Sequence, residues 1–158
     1  MNILVLCTGN SARSILLESI LNTLGDGRVA AWSAGSQPTG KVHLQSLNLL
    51  QSKGHDISGA RSKSWDEFAA QGAPQMDAVI TACGSAAGET CPIWPGAPLR
   101  AHWGVEDPAA ADEADWQEAF DTAYDILENR ARALLDLPLE QMDRAALQSA
   151  LNRIGQDK

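Results

Sequence analysis

The sequence predicts an α/β fold: three layers, α/β/α, around a small, mainly parallel sheet of four strands. Three observations predict it. Short continuous apolar runs recur, as in strands buried on both faces. Amphipathic helical stretches stand between and after them, and such alternation builds parallel sheets. The connecting segments are rich in Gly, Ser, Asn and Pro, the composition of turns, and no repeat or linker breaks the order.

The first strand is the run Ile3-Leu4-Val5-Leu6. Over residues 11–24, Leu16, Leu17, Ile20, Leu21 and Leu24 recur at helical spacing, and Gly25 is the stop signal. Residues 28–33 read as a second strand, followed by the turn composition SAGSQPTG. Val42, Leu44, Leu47, Leu49 and Leu50 predict a second helix ending near Gly54. Residues 76–82 form a third strand and 99–103 a short fourth. Between these two lies GSAAGETCPIWPGAP, a long loop, and long loops in compact domains are often functional. Residues 115–137 make a long amphipathic helix with Trp116, Phe120, Ala123, Leu127 and Leu134 inward, stopped by Pro138. Asp143 caps a final helix carrying Leu147, Leu151 and Ile154 on one face.

Composition narrows the function classes. A chain of 158 residues, 44% hydrophobic, suits one domain over 1–158 with a substantial core. The net charge, 12 − 20 = −8, argues against a nucleic-acid surface. Twelve carboxylates fall between Glu106 and Asp143 against Arg130 and Arg132, which reads as a solvated helix face. No segment has the length to span a membrane, and residues 3–6 are too short for a signal sequence, so a cytoplasmic protein is expected. Structural disulfides are rare there. Cys7, Cys83 and Cys91 are then core thiols, metal ligands or redox groups. The cysteines have no C-x2-C pair and no close histidine, and His43, His55 and His102 are scattered. No metal and no cofactor is expected.

Ligands of open α/β sheets bind beyond the carboxyl ends of the strands. Cys7 and Cys83 each close a predicted strand at that edge. Cys7 opens CTGNSARS, which lies between a buried strand and a helix start. Backbone N–H groups of Thr8, Gly9, Asn10, Ser11 and Ala12 can form an anion nest there. Gly9 permits a close bend, and Asn10 tolerates left-handed geometry. Arg13 offers a planar fork matching two oxygens of a tetrahedral oxyanion. The same positive field is expected to hold Cys7 as a thiolate nucleophile, with Ser14 donating to its sulfur. G-x-G-x-x-G and G-x-x-x-x-G-K-[ST] are both absent from the loop.

VLCTGNSARS resembles the phosphate loop of the low-molecular-weight protein tyrosine phosphatase fold, and more narrowly that of arsenate reductases built on it. The likeness continues through WSAGSQPTGKVH, GHDISGARSKSW, VITACGSAAGETCPIWPG and HWGVEDPA. The resemblance implies arsenate as substrate, with phosphate or sulfate as analogues. Cys7 would attack, Cys83 would displace arsenite to leave a Cys7–Cys83 disulfide, and Cys91 would then take over Cys83. A thioredoxin or glutaredoxin-type protein would reduce the last bond. Thioredoxin-coupled relatives set the last two cysteines slightly closer, so both donor types stay open. Asp107, before Pro108, matches the family's general acid, with Glu106 the weaker candidate. Some relatives bind potassium beneath the loop at positions matching Asn10, Glu18 and Ser33, with an Asp near Lys63. Lys63 is expected to replace that ion by pairing with Glu18 or bonding Asn10. A phosphatase hydrolysing phosphomonoesters is the alternative, but Ala109-Ala110 stand where its tyrosines would be. Trp94 and Trp103 are expected to flank the active-site loops.

Overall fold

The computed structural model describes residues 1–83, 94 and 96–156. Four strands, β1 (Asn2–Leu6), β2 (Ala30–Ala34), β3 (Ala78–Thr81) and β4 (Leu99–His102), form one sheet. Its order is β2-β1-β3-β4, and every pairing is parallel. The helices are α1 (Arg13–Gly25), α2 (Leu44–Ser52), α3 (Asp66–Ala69), α4 (Trp116–Leu135) and α5 (Arg144–Gln156). Turns of 3₁₀ helix stand at Pro108–Ala110, Glu113–Asp115 and Leu139–Gln141. None of the described helices is long and apolar enough to cross a membrane.

Side chains of a strand alternate between faces, and the core divides accordingly. Ile3, Val5, Ala78 and Ile80 point to the thick side, against Ile15, Leu16 and Ile20 of α1 and Phe120, Leu127 and Leu134 of α4. Leu4, Leu6 and Val79 point to the other face, which Phe68 of α3 and Trp94 cover. Trp103 is wholly buried and donates its ring N–H to the Leu151 carbonyl at 2.9 Å. Both tryptophans are thus core groups and not walls of the active site.

Element ends moved for local reasons. α1 starts at Arg13 because the preceding residues are spent on the loop, and it runs through Gly25. The left-handed residue that ends it is Asp26, at φ 46°. Gly25 is small for space instead: a Cβ there would sit 3.1 Å from Val29 Cβ. α4 stops at Leu135, ahead of Pro138. Asp143 does cap α5, accepting from the Ala146 amide at 2.8 Å. The single turn α3 and the 3₁₀ turns are too short to show a period in sequence.

The inward stripe of α4 also holds two polar residues, Tyr124 and Arg130. The Tyr124 hydroxyl meets Nε2 of the buried His55 at 2.8 Å, while Nδ1 faces the Ser19 and Thr23 hydroxyls at 2.8 and 3.0 Å. This network ties α1, α4 and the segment after α2. Burial pushes the His55 pKa down, against weaker opposing effects of Ser19 and Glu128. The folded protein therefore holds the imidazole neutral. Its contribution is intact above the unfolded value of about 6.5 and is lost as pH falls below it, because only the unfolded chain takes up the proton. The thermal midpoint is expected to drop between pH ~7.5 and ~5.5, and His55→Gln to flatten that drop; an equally steep drop in the variant would assign it to other groups.

Candidate active site

The register builds the site. Leu6 pairs with Ala34 on one side and Thr81 on the other. The chain segments that follow these three residues, beginning Cys7, Gly35 and Ala82, leave the sheet at one edge. The loop from Cys7 to Arg13 is then shaped from outside. The Thr8 carbonyl accepts from Gln37 N at 3.0 Å. The Gly9 carbonyl accepts from Thr39 N at 3.0 Å and Ser62 Oγ at 3.1 Å. The Ser11 carbonyl accepts from His43 N at 3.0 Å and Ser46 Oγ at 2.9 Å, and that of Ala12 accepts from Leu16 N. In a trans peptide the C=O and the next N–H point opposite ways. Carbonyls turned to the scaffold thus leave the amides of Gly9, Asn10, Ala12 and Arg13 for the concave side.

Asn10 takes the left-handed conformation, φ 47°, and is fully buried. Its Nδ2 donates to Ser14 Oγ at 2.8 Å and Ser33 Oγ at 3.0 Å, and its Oδ1 accepts from Lys63 N at 2.9 Å. Glycine here would give up these bonds, and most other residues would meet left-handed strain of roughly 1–2 kcal/mol as well. The Ser14 oxygen thus accepts from Asn10, which leaves its own O–H available as a donor. Gly35 lets the β2 exit lie against the loop; a Cβ there would collide with the carbonyl oxygens of Thr8 and Cys7.

Glu18, Ser33 and Lys63 lie beneath the loop. Glu18 accepts from Ser33 N at 3.0 Å and Ser33 Oγ at 3.2 Å. Lys63 Nζ is 3.8 Å from Glu18 Oε1 and donates to the Arg61 carbonyl at 3.2 Å. Burial raises the Glu18 pKa and lowers that of Lys63, each opposed by the partner's charge. Of the two sequence alternatives, the ammonium pairs with Glu18, and it is the Lys63 backbone that bonds Asn10.

Arg13 Nη1 donates to the Val105 carbonyl at 3.0 Å, and Nη2 lies 3.6 Å from Asp107 Oδ2. Its Nε is buried without a hydrogen-bond partner among the described residues, a donor suited to an oxyanion. Asp107 Oδ1 accepts from Ala109 N at 3.0 Å, capping the 3₁₀ turn that opens with Pro108. Asp107 is therefore held toward Arg13 with one carboxylate oxygen to spare, whereas Glu106 is exposed.

Cys7 and Cys83 are buried, reduced and packed together. Cys83 Sγ accepts from the Thr8 amide at 3.4 Å and lies 3.7 Å from the Thr8 hydroxyl. One amide of the loop thus serves the second sulfur. The Cys7 pKa is raised, first by its hydrogen bond to Cys83, then by burial, against the pull of Arg13. The thiolate expected at Cys7 is thus opposed by the neighbouring sulfur and by burial, and favoured by Arg13. Cys91 lies outside the described residues. Sequence reasoning missed Gly35, the outward pins Gln37, Thr39, Ser46 and Ser62, and the Thr8–Cys83 contact. Only Gly35 carried a signal, a glycine directly after a strand.

The family model for low molecular weight phosphotyrosine protein phosphatase matches residues 2–149. An arsenate reductase of Halalkalibacterium halodurans is 40% identical over 111 residues, covering 70% of this chain and 76% of its own. A glutaredoxin arsenate reductase of Synechocystis is 29% identical over 133 residues, covering 84% and 95%. A solved structure, "An arsenate reductase in the phosphate binding state", superposes with a TM-score of 0.70 at 29% identity, over 85% of this chain and 96% of that one.

The sulfur pair makes a checkable demand. Cys83→Ala removes the hydrogen bond that favours the Cys7 proton, so the apparent pKa for Cys7 alkylation is expected to fall. An unchanged or higher value would mean that Cys83 does not hold that proton.

Proposed function

The chain belongs to the low-molecular-weight phosphotyrosine protein phosphatase family, and we propose that this member reduces arsenate to arsenite. The observation that carries this reading is the second thiol, Cys83, set against Cys7 at the mouth of the oxyanion loop. A phosphatase needs one nucleophile and a water molecule. A reductase needs a second sulfur that can reach the first.

Arsenate binds to the loop amides and the Arg13 guanidinium, a tetrahedral dianion meeting inward donors. The Cys7 thiol passes its proton to an oxygen of the arsenate dianion and its sulfur attacks arsenic, while the arsenate hydroxyl leaves as water with the proton that Asp107 supplies. The Cys83 sulfur then attacks the Cys7 sulfur. The S–As bond breaks, its electron pair stays on arsenic, and As(V) becomes As(III) as the Cys7–Cys83 disulfide forms. Thr8 supports this step, because its amide and hydroxyl lie at the Cys83 sulfur and stabilise negative charge there. Cys91 next attacks Cys83, returning Cys7 as a thiol and leaving Cys83–Cys91. A dithiol protein of thioredoxin or glutaredoxin type reduces that bond; the name of the Synechocystis relative supports the second type.

Beneath the loop, Lys63 supplies the positive charge that compensates Glu18, in place of a bound monovalent cation. Their side chains are 5% and 16% exposed, so the pair is only weakly screened.

Arsenate turnover with a thiol-donor system tests the relay. Cys83→Ser and Cys91→Ser are each expected to abolish multiple turnover, while Asp107→Asn lowers kcat by roughly a hundredfold. Full turnover in both cysteine variants would remove the relay. Brisk aryl phosphate hydrolysis with no arsenate reduced would establish the phosphatase reading. Exchanging sodium for potassium is expected to leave arsenate kinetics unchanged, and Lys63→Met to lower the thermal midpoint by stranding Glu18; marked activation by potassium would assign the cation role to an ion.

A further inference from the structure

The acidic helix α4 buries one charge that the reaction above does not use. Arg130 occupies the inward stripe between Leu127 and Leu134, where an apolar residue would pack, and it is 6% exposed. Placing a guanidinium in a core is unfavourable unless it is fully engaged. Its Nη1 donates to the Gly104 carbonyl at 3.0 Å. Gly104 lies three residues before Asp107. The next carbonyl, that of Val105, is the one held by Arg13, and the Val105 amide donates to the Ala82 carbonyl at 3.2 Å, one residue from Cys83. Two guanidiniums from two helices thus grip successive carbonyls of the segment that delivers the acid.

We propose that Arg130 is a positioning residue for the general acid, fixing the Gly104–Asp107 segment from the rear so that the Asp107 carboxyl stays beside Arg13. Among the described residues, Arg130 touches no reacting atom. It acts through the backbone, and its loss lets Asp107 drift from the oxygen that must receive the proton. A displacement near 1 Å is enough to weaken such a transfer severely. The proposal rests on the role given to Asp107.

The test compares wild type, Arg130→Met, Arg130→Lys, Asp107→Asn and the Asp107→Asn/Arg130→Met double variant. Arg130→Met is expected to lower kcat for arsenate about tenfold or more with KM within about twofold, because the loss falls on proton delivery. Cys7 alkylation should keep its rate. In the Asp107→Asn background the same change should cost nothing further, whereas a merely structural role would multiply the two losses. Arg130→Lys should recover part of the rate, and it carries the comparison if Arg130→Met does not fold. Amide hydrogen exchange supplies a readout independent of turnover: Val105 and Ala109 should exchange faster in Arg130→Met, with the loop amides of Gly9 to Ala12 unchanged. Should wild type reduce no arsenate, the arsenate reading fails, and the exchange data with aryl phosphate hydrolysis still decide the role of Arg130. Full kcat in Arg130→Met, multiplicative losses, or unchanged exchange at Val105 and Ala109 would each overturn the proposal.

Discussion

The site depends on one left-handed residue. Asn10 turns the loop so that its carbonyls face the scaffold and its amides face inward, and three hydrogen bonds from its side chain hold that turn. The partners come from distant parts of the chain: Ser14 on α1, Ser33 on β2, and Lys63 beyond α2. A preorganised ring of donors is most effective when nothing must reorganise on binding. Burying Asn10 removes water as a competing partner for each of these bonds, so the turn is fixed before an anion arrives. The pins on Thr8, Gly9 and Ser11 spread the same constraint over the rest of the loop.

One cradle then serves two chemistries, and the surroundings choose between them. Phosphate and arsenate differ little in shape, so discrimination falls to what stands beside the sulfur of Cys7. That neighbour is Cys83, brought there by the parallel register of β1 and β3. The pairing has a drawback, since Cys83 opposes ionisation of Cys7. The loop moderates it by giving the Thr8 amide to Cys83 and the Arg13 field to Cys7. Residues 109 and 110 are alanines, so these two positions offer no aromatic ring to a ring-bearing substrate.

Much of this was legible in the sequence wherever the signal was local. Apolar runs marked β1 and β3, and the strand–loop–helix setting of CTGNSARS marked the anion loop, including the left-handed Asn10. The pairing of Lys63 with Glu18 was legible only through the resemblance. What escaped was set by tertiary contact. Gly25 looked like a stop signal but is small because Val29 packs on it. Arg130 read as a solvated member of an acidic helix, yet it faces the core. The opposing effect of Cys83 on Cys7 is likewise not local: charge within the loop is visible in sequence, whereas a second sulfur 76 positions away becomes a packed neighbour only once the strands are in register.

The strand order has a consequence for how the protein is born. β1 is made first, yet it stands between β2 and β3, so its hydrogen-bonding edges wait for residues up to Thr81. Synthesis proceeds from the N-terminus. A growing chain therefore carries its reactive sulfur unsheltered through the first half of translation. The pins that shape the loop, from Gln37 to Ser62, are polymerised only within that half, and Cys83 just after it. Sheltering the nucleophile is thus a late, collective event, coupled to closure of the sheet and not to formation of the loop itself.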